Sequence, residues 1–160
     1  FINICNKRAK FYKNIGSENI TFSCLNAMHY SYRKEDNYDF IFSLFAFNLI
    51  QPTRTLLKKI SPSLKKGAKL LIIDGNHGSI YSRFSLLPKD NRALTPSNLI
   101  KLLDENNFKI IKLNYHCCIP PFFFRYRFFS KLNRFFANMV KVLKLEPIFC
   151  VSYGLLVIKK

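Results

Sequence analysis

The histidine best placed for chemistry is His77, in a short polar loop that directly follows an apolar segment. Residues 68–74 read AKLLIID, and the loop continues as Gly75-Asn76-His77-Gly78. An imidazole titrates near neutral pH, so at the end of a buried strand it is a candidate general base. The alternative is a solvated loop imidazole without a chemical role. The sequence contains no conspicuous catalytic triad that would decide between them.

The five cysteines predict neither a disulfide framework nor a metal site. Cys5, Cys24 and Cys150 lie in apolar runs, Cys117 and Cys118 are adjacent, and no CxxC spacing occurs. Cysteines in apolar surroundings behave as small buried residues, and an odd number does not pair completely. We therefore predict reduced thiols, no metal, and a cytoplasmic protein.

The charge is the most unusual feature of the composition. The 160 residues carry a formal net charge of +17, with 49% hydrophobic and 22% charged residues. A basic chain can attract nucleic acid or anionic lipid. Here the lysines and arginines are spread along the whole chain, so we predict no specific nucleic-acid binding. No apolar stretch reaches the length of a membrane span.

Apolar runs alternate with helical patterns, which is typical of an α/β sheet covered by helices. The segment YDFIFSL at 38–44 is continuously apolar, as in parallel strands that are buried on both faces. Thr95-Pro96 predicts a helix start, with threonine as N-cap and proline at the first helical position. The predicted strands are 1–5, 19–24, 38–44, 68–74, 108–114 and 148–158, and the predicted helices begin at Lys7, Pro52 and Pro96.

A Phe- and Arg-rich segment, 120–147, separates the last two predicted strands. At 100° per residue its apolar and basic side chains fall on opposite faces, which predicts an amphipathic helix. Its aromatic cluster could pack on the sheet as core, lie in a membrane interface, or line a pocket for an apolar substrate. In the membrane interface, neighbouring basic residues would face anionic headgroups. The cluster comprises Phe122, Phe123, Phe124, Phe128 and Phe129, and the basic residues are Arg125, Arg127, Lys131 and Arg134. The apolar face comprises Phe128, Leu132, Phe135, Phe136, Met139 and Leu143, and the basic face comprises Arg127, Lys131, Arg134, Asn138 and Lys141.

Three segments occur in the order and spacing of a known family. They are YDFIFS at 38–43, the pair LLKKI and LKKGAKLLI within 56–72, and LTPSNL, LL and NF within 94–108. Together they resemble the class I S-adenosylmethionine-dependent methyltransferases, especially the type 11 (UbiE-like) groups. The resemblance covers nearly the whole chain. It implies a Rossmann-like sheet, mostly parallel with an antiparallel last strand, in which YDFIFS and AKLLIID are adjacent, central parallel strands.

The resemblance also implies where S-adenosylmethionine would bind. Asn3 takes the place of the family's acidic residue at the ribose hydroxyls, and Asn26-Ala27 that of the family's Asp-Ala at the adenine. Ser43 and Phe45 match positions that face the methionine part. An asparagine oxygen accepts hydrogen bonds without charge assistance, so the ribose contact is expected to be weaker. Alternatively, Asn3 and Asn26 are simple turn residues.

The family's first strand and its glycine-rich loop have no counterpart in this sequence. The five glycines form no GxG pattern, and the chain begins where the second strand is expected. We therefore predict that residues 1–160 form one partial domain, with 120–147 as an insertion. We expect these residues alone to bind the cofactor poorly and to be inactive, with an affinity weaker than micromolar.

The resemblance does not identify the acceptor of the methyl group. The Phe-rich segment favours a small, lipophilic acceptor and peripheral contact with a membrane through 121–145. Two other classes of function stay open. One is a non-catalytic Rossmann-like or peripheral membrane-binding module, and the other is a nucleotide-dependent enzyme of another Rossmann family, such as a dehydrogenase.

Overall fold

The computed structural model describes residue 23 and the ranges 25–84, 94–118 and 127–160, with side chains from residue 134 onward in the last range. The chain divides into two compact units, Phe1–Ser31 and Tyr32–Lys160. The predicted strands 1–5 and 19–24 and the helix that begins at Lys7 lie outside the described residues, apart from Ser23. In the first unit the description concerns the turn around Asn26, and the following paragraphs concern the second unit.

The second unit contains a four-stranded mixed sheet in its described part. Its order is β1-β2-β4-β3; β1 and β2 are parallel, and β4 runs antiparallel to both of its neighbours. The prediction that YDFIFS and AKLLIID are adjacent parallel strands is confirmed, as is the antiparallel last strand. The strands are β1 (Tyr38–Leu44), β2 (Leu64–Gly75), β3 (Phe108–His116) and β4 (Ser152–Lys159).

Three helices of at least eight residues and two of four residues accompany the sheet in the described part. They are α1 (Thr53–Ile60), α2 (Ile80–Arg83), α3 (Pro96–Glu105), α4 (Arg127–Val142) and α5 (Glu146–Phe149). Pro52 is the N-cap of α1, and α1 ends in the 3-10 turn Ser61–Ser63, which contains Pro62. The helix predicted to begin at Pro52 is therefore present, with Thr53 as its first helical residue. Among the described residues, no helix is both long and apolar enough to cross a membrane.

The core forms where the central strands meet the apolar faces of the helices. Alternate residues of β2 and β4 are buried, because successive side chains of a strand point to opposite faces. Leucines three and four residues apart form one buried face on α3, which packs against β3. Fully or nearly fully buried side chains include Leu57, Leu70, Ile72, Leu99, Leu103, Phe108, Tyr153, Leu155 and Val157.

The start of α3 allows a first test of the local structure. The Thr95 hydroxyl accepts a hydrogen bond from the Asn98 backbone N–H at 3.3 Å, and Pro96 occupies the first helical turn. Replacing Thr95 with alanine removes this cap and is expected to cost about 1 kcal/mol of unfolding free energy. Urea denaturation measures the loss. Ser97→Ala, at an exposed position in the same turn, is the control, and an equal effect of both changes would argue against the cap.

Two predicted strand boundaries are wrong. The strand predicted at 68–74 begins at Leu64, so Lys65-Lys66-Gly67 lies within β2, where the pairing with β1 shifts register and Gly67 has a φ of 83°. Glycine adopts this left-handed conformation without steric cost, so the strand bends and continues. The last strand begins at Ser152 and not at Ile148, since Glu146-Pro147 starts the short helix α5.

The expected burial of β1 on both faces is also wrong. Phe40, Phe42 and Leu44 remain about half exposed, at 52%, 51% and 53%. In the described sheet β1 is the end strand, with β2 as its neighbour. A strand at the end of a sheet has fewer neighbours than a central one, so its apolar composition does not guarantee burial.

Helix α4 lies within the predicted segment 120–147, and only part of its predicted apolar face is buried among the described side chains. Val140 is buried, and Phe136 and Ala137 pack against it and its neighbours. Phe135 and Met139, which were predicted to share the apolar face with Phe136, are exposed, as is Leu143 just beyond the helix. The aromatic cluster at residues 122–129 lies outside the described side chains.

Candidate functional site

The carboxyl ends of β1 and β2 lie side by side and form one rim of the sheet. Ser43 pairs with Ile72, and the Phe45 backbone N–H extends the ladder by donating to the Ile73 carbonyl at 2.7 Å. In open α/β sheets ligands bind beyond the carboxyl ends of parallel strands. The two loops that leave this rim, 45–48 and 75–79, are therefore the candidate site.

Phe45 is held in an unusual conformation at this rim. Its φ is 49°, and its side chain is 54% exposed. For a residue other than glycine, the left-handed backbone conformation costs about 1 kcal/mol of free energy. The surrounding structure must therefore hold Phe45 in this conformation. The ladder hydrogen bond to Ile73 contributes to this. The chain then turns into the 3-10 turn Phe47–Leu49, while Ser43 remains partly exposed at the end of β1.

A buried carboxylate joins the two loops of the rim. Asp74, near the end of β2, is only 4% exposed. Its two oxygens accept hydrogen bonds from the backbone N–H groups of Asn48 at 2.8 Å and of Gly75 at 2.9 Å. Because one carboxylate serves both loops, the position of the turn after β1 depends on the end of β2. Hydrogen bonds to an ionised acceptor are the stronger kind.

Tyr153 on β4 completes this buried polar group. It pairs directly with Asp74 across the sheet, and the Asn48 side-chain amide donates to its hydroxyl at 3.4 Å and to the Leu94 carbonyl at 3.3 Å. Burial raises the pKa of the Tyr153 phenol, and the Asp74 carboxylate raises it further. The phenol therefore stays protonated. Within the described residues the buried Asn48 Oδ1 has no hydrogen-bond partner.

The loop after β2 is anchored through Asn76. Its side-chain oxygen accepts from the Gly78 backbone N–H at 3.0 Å, and its side-chain nitrogen donates to the carbonyls of Pro147 at 2.9 Å and Cys150 at 2.8 Å. Its backbone N–H donates to the Val151 carbonyl at 2.8 Å. The loop is thus tied to the segment that precedes β4.

His77 lies on this anchored loop. Its imidazole packs over Gly75, where a β-carbon would meet Nε2 at 3.5 Å. In the part of the chain that the structure describes, no hydrogen bond orients the ring. A general base is normally oriented by a partner, so the geometry leaves both interpretations of His77 open, and its role stays a prediction.

Asn26 and Ala27 belong to the first unit and lie in a tight turn. The Asn26 side-chain oxygen accepts a hydrogen bond from the Met28 backbone N–H at 2.9 Å. The Asn26 backbone carbonyl accepts from the backbone N–H groups of His29 at 2.9 Å and Tyr30 at 3.0 Å. This is the turn chemistry expected of asparagine. One lone pair of the side-chain oxygen remains for a second donor. Asn3 lies outside the described residues.

Of the predicted site residues, the structure places Ser43 and Phe45 on the same rim as the loop that carries His77. The sequence analysis missed the group that holds this rim together, Asp74 with Asn48 and Tyr153. One signal was available, because an acidic residue at the end of an otherwise apolar strand needs buried partners. Those partners are 26 and 79 positions away in the chain and could not be identified from spacing.

The sequence itself has no match among family models or curated proteins. Solved structures do resemble the chain. They include the cyclase SpnF, with 15% identity, a TM-score of 0.59, and coverage of 94% of this chain and 61% of SpnF. A SAM-dependent methyltransferase from Aquifex aeolicus has 13% identity, a TM-score of 0.53, and coverage of 97% and 63%. An S-adenosylmethionine-dependent methyltransferase from Mesorhizobium loti has 10% identity, a TM-score of 0.60, and coverage of 92% and 73%.

The likeness is one of fold, over part of the neighbours' length. The chain spans less than two thirds of SpnF and of the Aquifex aeolicus protein. The methyltransferases among these structures agree with the family that the sequence motifs indicated. The chain has the α/β, Rossmann-like fold of the S-adenosylmethionine-dependent methyltransferases.

Proposed function

We propose that this chain is part of an S-adenosylmethionine-dependent methyltransferase domain and carries the rim that holds the methionine end of the cofactor. The observation that supports this most directly is the sheet order β1-β2-β4-β3, with parallel β1 and β2 and a reversed β4, in a fold shared with known methyltransferases. The bound cofactor supplies an activated methyl group on a sulfonium. The protein's task is to align that methyl with the acceptor.

The rim after β1 suits a sulfonium. The exposed Phe45 ring offers an aromatic face to a cation, and the partly exposed Ser43 hydroxyl can donate or accept a hydrogen bond. The nearby Asp74 carboxylate is already engaged by two backbone N–H groups. In this proposal Ser43 and Phe45 hold the methionine part, and Asp74 positions them without touching the cofactor.

The resemblance also implies adenine and ribose contacts by residues of the first unit, and these are proposed for that unit by itself. Asn26 would accept from the adenine amino group with the lone pair that its turn leaves available, beside Ala27. Asn3 would accept from the ribose hydroxyls. Both contacts lack charge assistance, and the five glycines of the sequence form no GxG turn for the cofactor. Binding by these 160 residues is therefore expected to be weak, and the isolated chain inactive.

His77 is the proposed base where the acceptor carries a proton of high pKa. Its loop leaves the same rim of the sheet, and a neutral imidazole nitrogen can accept a proton from an acceptor. An acceptor that is already unprotonated needs alignment alone, and His77 would then have no chemical role. We propose a small, lipophilic acceptor, because exposed apolar side chains lie on and after β1, next to the rim, and also on and after α4.

The alternative is a module that uses the fold without transferring a methyl group. SpnF, which is a cyclase, has a similar fold. A fold therefore does not fix the reaction, and the cofactor must be tested directly.

The experiment is a titration of the isotope-labelled chain with S-adenosylmethionine, which carries the sulfonium, followed by NMR. We expect saturable shifts of the backbone amide signals of residues 43–48 and 74–78, with an affinity weaker than micromolar. Phe45→Asn removes the ring while keeping a residue that tolerates the left-handed backbone, and it is expected to weaken binding about 10-fold.

Ile111→Thr on β3 is the matched control, since Ile111 is also about half exposed and β3 lies at the other end of the described sheet. It should bind like the unmodified chain. Amide shifts confined to residues outside 43–48 and 74–78, or an equal loss of affinity in both variants, would contradict the proposal. Micromolar affinity would contradict the expected weakness.

We also propose that the protein is cytoplasmic and attaches peripherally to anionic membranes through α4. Four exposed apolar side chains, Phe135, Met139, Val142 and Leu143, form one stripe on and just after this helix. The exposed cations Arg134 and Lys141 lie on the adjoining face, and Lys144 follows the helix. Apolar and cationic faces side by side match the acyl boundary and the headgroups of an anionic bilayer.

A further inference from the structure

Two cysteines that are far apart in the chain meet in the core of the second unit. The Sγ atoms of Cys118 and Cys150 lie 2.8 Å apart, and the residues are separated by 32 positions. Both are buried, at 3% and 1% exposed, and both are free thiols in the structure. A disulfide has an S–S distance of about 2.05 Å, so a movement of less than about 1 Å would suffice to form the bond.

The backbone around this pair is fixed from both sides. Cys118 comes two residues after β3, and Cys150 comes two residues before β4. The Val151 backbone N–H donates to the Cys117 carbonyl at 2.9 Å, which keeps the two segments in register. Val140 of α4 packs beside both thiols. The close approach of the sulfurs therefore follows from the packing of β3, β4 and α4.

We propose that Cys118 and Cys150 are a thiol–disulfide site, which a low-molecular-weight disulfide such as oxidised glutathione converts to an internal crosslink. One cysteine thiolate attacks a sulfur of oxidised glutathione and releases one glutathione. The second thiolate then attacks the cysteine sulfur of this mixed disulfide and releases the other glutathione. The two cysteines are oxidised, glutathione disulfide is reduced to two thiols, and the two cysteine protons pass to the released thiolates.

Burial sets the rate of this reaction. It raises the pKa of both the Cys118 and the Cys150 thiol, and the thiolate is the reactive form. Oxidation is therefore slow at neutral pH and becomes faster as the pH rises. Once one mixed disulfide exists, the second thiol is already adjacent, so the internal bond is favoured over a second glutathione adduct.

The site is connected to the loop that carries His77. The Tyr81 hydroxyl donates to the Cys118 carbonyl at 2.7 Å, and the Asn76 side chain donates to the Cys150 carbonyl at 2.8 Å. The two residues of the pair thus hold Asn76 and Tyr81, which flank His77 in sequence. A crosslink would fix the positions of Asn76 and Tyr81 relative to each other. Oxidation of the two thiols would therefore change the conformation of the loop at the rim of the sheet.

The test uses the full 160-residue chain in its folded state, incubated with oxidised glutathione at mildly alkaline pH. We expect a proteolytic product that links Cys118 to Cys150 and is two hydrogens lighter than its reduced parts. The amide signals of residues 76–81 should shift on oxidation. Cys117→Ser, which changes the exposed neighbour of the pair, should give the same linkage and the same shifts.

Cys118→Ser and Cys150→Ser should each abolish the linkage and the shifts of residues 76–81, with circular dichroism verifying that the variants fold. The decisive result comes from the unmodified chain. Glutathione adducts without a crosslink, a Cys117–Cys118 linkage, or complete alkylation of Cys118 and Cys150 after oxidation would overturn the proposal. Crosslinking without a change at residues 76–81 would overturn the connection to the loop.

Discussion

Replacing Asp74 with alanine is expected to lower the free energy of unfolding by about 3 kcal/mol. The carboxylate is buried and accepts two backbone hydrogen bonds, one of them from Asn48 in the turn after β1. Its removal leaves a buried Asn48 N–H without a partner, and an unpaired buried donor costs its full desolvation energy. Urea denaturation with a two-state fit measures the change.

Asp104→Ala is the matched control for Asp74→Ala. Asp104 also forms a close polar contact, 2.7 Å from the Lys160 ammonium, but its side chain is 69% exposed. Exposed ion pairs contribute little, so this change should stay within about 0.5 kcal/mol. Asp74→Asn, which keeps one acceptor oxygen, should fall between the two. Similar losses for Asp74→Ala and Asp104→Ala would show that the buried carboxylate does not hold the rim.

The Asp74 substitution also separates stability from binding. In the proposed function Asp74 positions the loop that bears Phe45 and does not touch the cofactor. Asp74→Ala should therefore broaden or move the amide signals of residues 45–48 before any ligand is added. A variant with unchanged signals in this loop but weaker binding would instead place Asp74 in contact with the ligand.

The sheet could be predicted because its strong signals are local. YDFIFSL and AKLLIID are continuous apolar runs, and such runs separated by a helix favour neighbouring parallel strands. Thr95-Pro96 marked the start of α3 by a mechanism that operates within one turn. Local signals alone gave the wrong strand start at 65–67. Lys-Lys-Gly has turn chemistry, but pairing with β1 continued the strand through it.

The boundaries and faces that failed depend on distant partners. The last strand begins late because the Asn76 side chain binds the carbonyls of Pro147 and Cys150 and holds the chain outside the sheet there. On α4, periodicity defined an apolar face but not which part of it would meet Val140 and its neighbours. The sequence placed Cys118 and Cys150 in different segments, and only the packing of β3 and β4 brings their sulfurs together.

The candidate site was predictable only in part. Ser43 and Phe45 came from the resemblance to the methyltransferases, and their place at the carboxyl end of an apolar strand agrees with where ligands bind in this architecture. The left-handed backbone of Phe45 had no sequence signal, because glycine or asparagine is the usual residue there. The contact between Asp74 and Asn48 joins loops of two different strands, and the contact between Asn48 and Tyr153 adds a third. Such contacts require the fold to be known.

Binding to anionic vesicles is expected to depend strongly on the exposed stripe of α4. Phe135 and Val142 are 70% and 80% exposed, so replacing both with serine should leave the fold intact. If the stripe inserts at the acyl boundary, the double change removes about 3 kcal/mol of the free energy of transferring apolar side chains from water to the membrane. The partition coefficient between water and vesicles should then fall about 100-fold. Co-sedimentation with vesicles of phosphatidylcholine and phosphatidylserine measures the loss, and circular dichroism verifies folding.

Phe84→Ser is the matched control, because Phe84 is as exposed as Phe135 but lies after α2. It should bind like the unmodified chain. Arg134→Gln with Lys141→Gln should weaken binding in low salt and have little effect in high salt, since the attraction of cations to anionic headgroups is screened. The two pairs of substitutions thus separate the apolar from the electrostatic contribution. Equal binding to vesicles of phosphatidylcholine alone, or equal losses for Phe84→Ser and the stripe variant, would contradict attachment through α4.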